Sequence, residues 1–145
     1  MNKILLIITG SIAASRCKEI ITLLNINGVK ISCILTKEAK KYVKISDIKK
    51  LLKNRIFTDE DEKKNKMLHI NLSRDNDIIV VCPTTANSIA KFANGYGDNL
   101  ASNTLLASNK KILFVPAMNG FMWQNKINQK NVRLLKDSGY EFIGQ

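Results

Sequence analysis

The 145-residue sequence predicts an α/β fold: a doubly wound parallel sheet in three αβα layers, forming one domain. Three observations carry that expectation. Short apolar runs of strand length recur with helix-length segments between them. The runs show little alternation, as befits strands covered on both faces. Each is followed by a turn rich in Thr, Pro, Gly or Ser, the composition of strand-to-helix crossings. A chain of this length buries roughly 68–70% of its unfolded surface, so it needs no disulfide or metal to stay folded.

KILLIIT (3–9) is the first strand. SIAASRCKEIITLLNING follows as a helix, with Ser11 as N-cap, Gly28 as stop, and Ile12, Ile20, Leu23, Leu24 and Ile26 as its apolar side. VKISCIL (29–35) is the second strand, and Thr36 heads a short helix start in KEAKKYV. Residues 44–66 carry the weakest pattern: IKKLLKN reads as helix and TDEDEKKNKM as a charge-rich surface loop or helix end. DIIVVC (77–82) is the third strand, stopped by Pro83. TTANSIAKFAN, closed at Gly95, and NLASNTLLAS are helices. KILFV (111–115) is the fourth strand, QNKINQKNVRLLKDSG a helix ending at Gly139, and YEFIG a short last strand. No repeat, low-complexity tract or linker interrupts the series.

Composition narrows the function. The net charge is +11, but 19 lysines stand against 4 arginines, and most are scattered. Base readout and bidentate phosphate grips favour Arg. The basic excess therefore reads as solvated helical surface, with no nucleic-acid partner expected. No stretch approaches the ~20 apolar residues of a membrane span, so no membrane partner is expected. MNKILLIITGSIAAS is too short in its apolar core for a secretory signal and continues the strand–helix pattern without a seam. Cys17, Cys33 and Cys82 sit in or beside apolar runs and form no CxxC pair, which suits reduced thiols of a cytoplasmic protein. The single histidine has no Cys or His at ligand spacing, so no metal site is expected.

In a doubly wound sheet, ligands bind outside the carboxyl ends of the strands. The segments at those ends are TGSIA (9–13), TKEA (36–39), PTTANS (83–88) and PAMNGFMW (116–123). Gly10 and Ser11 stand where backbone donors at a helix start suit a phosphate. There is no GxGxxG pattern or P-loop lysine, which favours a mononucleotide. PTTANS offers the hydroxyls of Thr84 and Thr85 and the amide of Asn87. His69 lies in MLHINLS among Leu68, Ile70 and Leu72, against buried surface, and imidazole is the side chain suited to acid–base work near neutrality. Asn119 is the one polar side chain in PAMNGFMW. Each motif also has an ordinary structural reading. The Thr, Ser and Asn residues can be helix caps, the Met and Trp can be packing, and a lone His is commonly a satisfied surface or core residue.

Taken together, GSIAAS, Thr36, HINL, PTTANSIAKFANGYGDNLASNTLLA and PAMNGFMW resemble the flavin-containing cysteine decarboxylases, over nearly the whole chain. The specific signal is a PxMNxxMW pattern together with a PASANT-like pattern and an upstream histidine. GYGDNLASNTLLA is most similar to the phosphopantothenoylcysteine decarboxylase branch of coenzyme A synthesis. The resemblance implies a flavodoxin-like (Rossmann-like) fold and FMN bound where subunits of a homotrimer, or of a dodecamer of trimers, meet. Gly10, Ser11 and Ile12 would hold the FMN phosphate, and Thr36, Thr85, Asn87, Ser88 and Ala117 would contact the rest of it. His69 would be the acid–base residue. Asn119 would bind the substrate carboxylate, with Met122 and Trp123 shaping the pocket.

The implied activity is decarboxylation of the small-molecule substrate 4'-phosphopantothenoylcysteine to 4'-phosphopantetheine. Oxidation of the thiol to a thioaldehyde, with a hydride passed to flavin, creates the electron sink that lets CO₂ depart. Departures from the family pattern include Ala14-Ser15-Arg16-Cys17 where relatives commonly read AAYK. Residues 1–145 are expected to be the flavoprotein domain, ending before a glycine-rich substrate flap and any ligase domain. The flap cysteine on which the final reduction depends matches none of the three cysteines here. The alternatives are a peptidyl-cysteine oxidative decarboxylase and a catalytically idle flavoprotein subunit.

Overall fold

The computed structural model describes residues 2–53 and 55–144. Its strands are β1 (Lys3–Ile8), β2 (Lys30–Leu35), β3 (Ile56–Phe57), β4 (Ile78–Thr84), β5 (Lys111–Pro116) and β6 (Glu141–Phe142). They form one sheet in the order β3-β2-β1-β4-β5-β6, and every neighbouring pair is parallel. Chain order reverses between β1 and β4. Apart from the two-residue β3, the order is that of flavodoxin-like folds, and the reversal is where such folds open a crevice.

The two-residue period of a strand divides each apolar run between two cores. Leu5 and Ile7 of β1 join Ile79 and Val81 of β4 on one face. That face is covered by α4 (Leu68–Arg74), α5 (Ala86–Ala93), α6 (Leu100–Ala107) and α8 (Lys126–Asp137). Leu6 and Ile8 point the other way, toward α1 (Cys17–Ile26) and α2 (Ile45–Leu52). Phe114 anchors the first core, fully buried, with ring centroids 5.7 Å from Phe92, 6.3 Å from Tyr140 and 5.1 Å from Phe142.

The structure corrects several expectations. Residues 12–16 form a 3-10 turn that leads into α1. The helix's inner side is Cys17, Ile21 and Leu24, whereas Ile20, Leu23 and Ile26 face outward and Ile12 is 79% exposed. Cys17, Ile21 and Leu24 follow i, i+4, i+7 and Ile20, Leu23 and Ile26 follow i, i+3, i+6; both are helical spacings, and only packing against α2 and the sheet decides between them. β4 and β5 each run one or two residues farther than expected, and Pro83 lies inside β4 rather than ending it. Thr84 consequently belongs to the strand and is fully buried. Its hydroxyl donates to the Val81 carbonyl and accepts the Val115 N–H. It is a fastener between strands and offers nothing to a ligand.

The weakly patterned stretch holds β3 and α3 (Asp59–Lys64), whose Thr58 and Asp61 form a reciprocal capping box. His69 proves to lie on α4, a helix not anticipated from sequence. The expected helix 124–139 begins at a break: α7 (Gly120–Gln124) ends, and Asn125 caps α8. Among the described residues, no helix is long and apolar enough to cross a membrane.

Candidate functional site

A cavity of about 200 Å³ opens at the reversal between β1 and β4. Its floor is apolar, with Ile7 and Val81 from the strands and Phe92 and Leu105 from α5 and α6. Its rim carries Gly10 after β1, Thr36 after β2, and Thr85, Asn87 and Ser88 at the start of α5. Thr9 ties the two central strand ends together by donating its hydroxyl to the Pro83 carbonyl.

Gly10 is there because of close approach. A Cβ at this position would run into the Glu38 side chain and come within 3.1 Å of its carbonyl carbon. Ser11 turns the chain into the 3-10 helix, its Oγ accepting the Ala13 N–H at 3.2 Å. Thr36 is held by a bond to the Ile8 carbonyl at 3.0 Å and accepts the Ala39 N–H at 3.3 Å. Thr85 caps α5 by accepting the Ser88 N–H at 3.1 Å, and the two hydroxyls lie 2.9 Å apart. The ordinary capping reading therefore holds for these residues, and Thr36, Thr85 and Ser88 also line the cavity. Hydroxyls on the rim, an apolar floor and a glycine that leaves room beside the backbone suit a flat aromatic group with a phosphorylated tail, as in a flavin mononucleotide.

The remaining sequence-predicted residues lie elsewhere. Ser11 and Ile12 flank the cavity in sequence without lining it, and Ala117 donates its N–H to the Thr84 carbonyl at 3.1 Å. Met122 stands across α5. Ala86 and Ala90 on the opposite side of that helix, with Phe121, Met122, Asn125 and Ile127, line a second, open groove. Asn119 is the N-cap of α7, its Oδ1 accepting the Met122 N–H at 2.9 Å. Trp123 packs on the core. Phe121 is 88% exposed and Ile127 72%.

His69 is not among the cavity-lining residues. It rides on α4, which packs against the cavity-wall helix α6. Its Nδ1 is buried without a hydrogen-bond partner, and Glu62 Oε2 of α3 is the nearby carboxylate, 3.9 Å away. That same oxygen accepts a bond from Asn103 Nδ2 on α6 at 3.0 Å.

Sequence reasoning missed Glu62 and Asn103, and also Lys91, Asn99 and Ser102 at the cavity wall. A signal existed for some of them. Thr58-x-x-Asp61 is a capping-box pattern inside the acidic tract, and Asn99-x-x-Ser102 caps α6 reciprocally. Lys91 bridges to Asp98 at 3.0 Å and holds that carboxyl below the usual range. None of the three cysteines lines the cavity. Burial pushes the Cys33 thiol up, and a contact with Cys82 together with burial pushes Cys17 up, so both are protonated thiols of the opposite core. Among the described residues, no group of three or more His, Cys, Asp or Glu gathers to hold a metal.

Fold and cavity together define an α/β protein of the mononucleotide-binding kind. The flavoprotein family profile matches residues 1–145, and the chain belongs to that family. It is 32% identical to the probable phosphopantothenoylcysteine decarboxylase of Streptococcus mutans, over 98% of this chain and 82% of that protein. It is also 32% identical to the coenzyme A biosynthesis bifunctional protein CoaBC of Bacillus subtilis, over 98% of this chain and 36% of that longer protein. Among solved structures, the FMN-dependent cysteine decarboxylase SpaF is similar with a TM-score of 0.91 at 30% identity, over 97% of this chain and 82% of that one.

Proposed function

We propose that this chain binds FMN in the cavity at the β1/β4 reversal and decarboxylates 4'-phosphopantothenoylcysteine there. The observation that carries the reading is the convergence of Gly10, Thr36, Thr85, Asn87 and Ser88, from three separate strand ends, on one cavity with an apolar floor. Gly10, with Ser11 and Ile12, takes the phosphate end, and the Thr85 and Ser88 hydroxyls with the Asn87 amide hold the remainder. FMN supplies, when bound, the two-electron acceptor for the substrate's cysteine side chain.

The rest is the work of side chains. A carboxylate accepts hydrogen bonds and donates none. Asn119 spends its Oδ1 on the α7 cap, which leaves the Nδ2 hydrogens as its means of gripping the substrate carboxylate. Met122 walls that carboxylate with apolar surface, which favours loss of charge as CO₂ departs. His69 moves the proton. Cys17 and Cys33 are buried in the core on the other face of the sheet and Cys82 packs against it, so these three do not serve as the proton donor of the final reduction.

A cavity of about 200 Å³ falls below the ~300–1,000 Å³ of complete small-molecule sites. The open apolar groove behind α5, with Phe121 88% exposed, calls for a cover. Both features support assembly with a second copy that completes the site; the homotrimer, alone or gathered into a dodecamer, is the form the family resemblance implies. Free thiols at Cys17, Cys33 and Cys82 fit the reducing cytoplasm.

The test is direct. The purified protein should be yellow with bound FMN, and anaerobic mixing with phosphopantothenoylcysteine should bleach the flavin and release CO₂. Protein that stays colourless after reconstitution with FMN would overturn the reading.

A further inference from the structure

The buried Nδ1 of His69 requires an explanation, because buried polar atoms are nearly always hydrogen-bonded. The ring is 26% exposed, so one edge is sealed while another remains open. What stands at the sealed edge is Glu62, 3.9 Å away and itself only 22% exposed. That gap is too long for a hydrogen bond, yet Glu62 is the carboxylate that faces the sealed edge.

Glu62 is not a loose surface carboxylate. Its Oε2 receives the Asn103 Nδ2 bond at 3.0 Å from α6. One turn earlier on α3, Asp59 Oδ1 accepts the Leu100 N–H at 3.0 Å, at the start of the same helix α6. The acidic tract is thereby pinned to the cavity-wall helix at two points, and one of them aims a carboxylate at the imidazole.

We propose that Glu62 is the positioning residue of His69: its carboxylate accepts Nδ1–H, Asn103 holds the carboxylate, and Nε2 is left with the free lone pair. Which imidazole nitrogen carries the proton is set by the bond the other makes. With Nδ1–H committed to Glu62, Nε2 takes up a proton from the reacting cysteine side chain. The Glu62 carboxylate then balances the imidazolium formed, as carboxylates do beside other proton-moving histidines. The role of His69 in the reaction rests on the function proposed above; its tautomer does not.

His69 is the sole histidine of the sequence, so a long-range ¹H–¹⁵N spectrum of histidine-labelled protein reports one ring. At a pH where the ring is neutral, the wild type should show Nδ1–H. Glu62→Leu, which removes the acceptor at similar size, should convert it to Nε2–H. In anaerobic mixing with phosphopantothenoylcysteine, flavin bleaching by that variant should slow by about 10- to 100-fold with FMN affinity unchanged, the effect typical of a partner that orients a functional histidine. Asn103→Ala, which keeps the carboxylate but frees it, should give mixed tautomers and a smaller loss. It also serves as the test if Glu62→Leu does not fold.

Nε2–H in the wild type overturns the proposal, as does Nδ1–H that persists unmixed in the variants. The two readings fail separately. A Glu62-dependent tautomer in a protein that never bleaches retires the decarboxylase reading alone. Bleaching with a tautomer indifferent to Glu62 and Asn103 retires the positioning alone.

Discussion

The turns after β4 and β5 are made from similar parts. In each, a proline in the last residues of the strand is followed by a polar residue that caps a helix. Thr85 accepts the N–H three residues on, and so does Asn119. Their surroundings differ. Thr85 opens onto a cavity whose floor comes from two strands and two helices of the same chain. Asn119 opens onto exposed surface beside Met122 at 47% exposure and Phe121 at 88%. The first turn faces a cavity lined by its own chain, and the second presents apolar side chains that a single chain leaves uncovered. In the proposed function, cofactor contacts belong to the enclosed turn and substrate contacts to the open one. That division should be visible when each side is damaged.

The largest effect is expected on the enclosed side. Gly10→Val puts a branched side chain where even a Cβ meets Glu38. Overpacking of this kind costs about 1–3 kcal/mol of stability, and here the displaced backbone is the phosphate turn. FMN affinity should fall by about 100-fold or more, measured by fluorescence titration, with the thermal midpoint lowered. Unchanged FMN affinity would take the phosphate away from this turn.

The open side allows a cleaner cut, because cap and ligand roles separate. Asn and Asp cap helices about equally well. Asn119→Asp should therefore leave the thermal midpoint within about 2 °C of the wild type and leave FMN binding intact. It also replaces the amide hydrogens with a second negative charge. Repulsion of the substrate carboxylate should raise KM by about 100-fold, the equivalent of ~2.7 kcal/mol. Asn119→Ala removes the cap as well, and should lose about 1 kcal/mol of stability in addition. Wild-type KM in Asn119→Asp would show that the cap is all this residue does.

The same contrast explains what could be read from sequence. Turn chemistry is local, so the positions of Gly10, Thr36, Thr85, Asn87 and Ser88 at strand ends followed from the order of elements alone. The three-layer sheet followed from the apolar runs. What failed was whatever depended on a second element. The inner side of α1 could not be separated from its outer side, since Cys17 and Ile21 (i, i+4) and Ile20 and Leu23 (i, i+3) both repeat at helical spacings. β3 has two residues, too few for any periodicity to register. The acidic tract looked like solvent-facing surface because its partners, Leu100 and Asn103, lie 41 residues downstream. His69 was found as a residue, but its setting was invisible for the same reason.

The smallest effect concerns the bridge that joins the enclosed turn to the next cavity wall. Lys91 lines the cavity from α5 and pairs at 3.0 Å with Asp98, just ahead of the α6 cap. The Lys91 hydrogen bond, helped by Ser102, holds the Asp98 carboxyl below its ordinary value of 3.8. A carboxyl depressed on folding contributes stability that is fully present above its unfolded value and is lost as pH falls through its folded one. Lys91→Met should therefore lower the thermal midpoint slightly at neutral pH and leave it unchanged once the pH has fallen through the depressed value and Asp98 is protonated in both proteins. Asp98 is exposed, so the difference should also shrink in high salt. FMN affinity distinguishes the two roles of this lysine. A pure α5–α6 strut leaves it unchanged in Lys91→Met at every salt concentration. If the ammonium also meets the cofactor from the cavity wall, affinity falls even at high salt, where the bridge to Asp98 no longer counts.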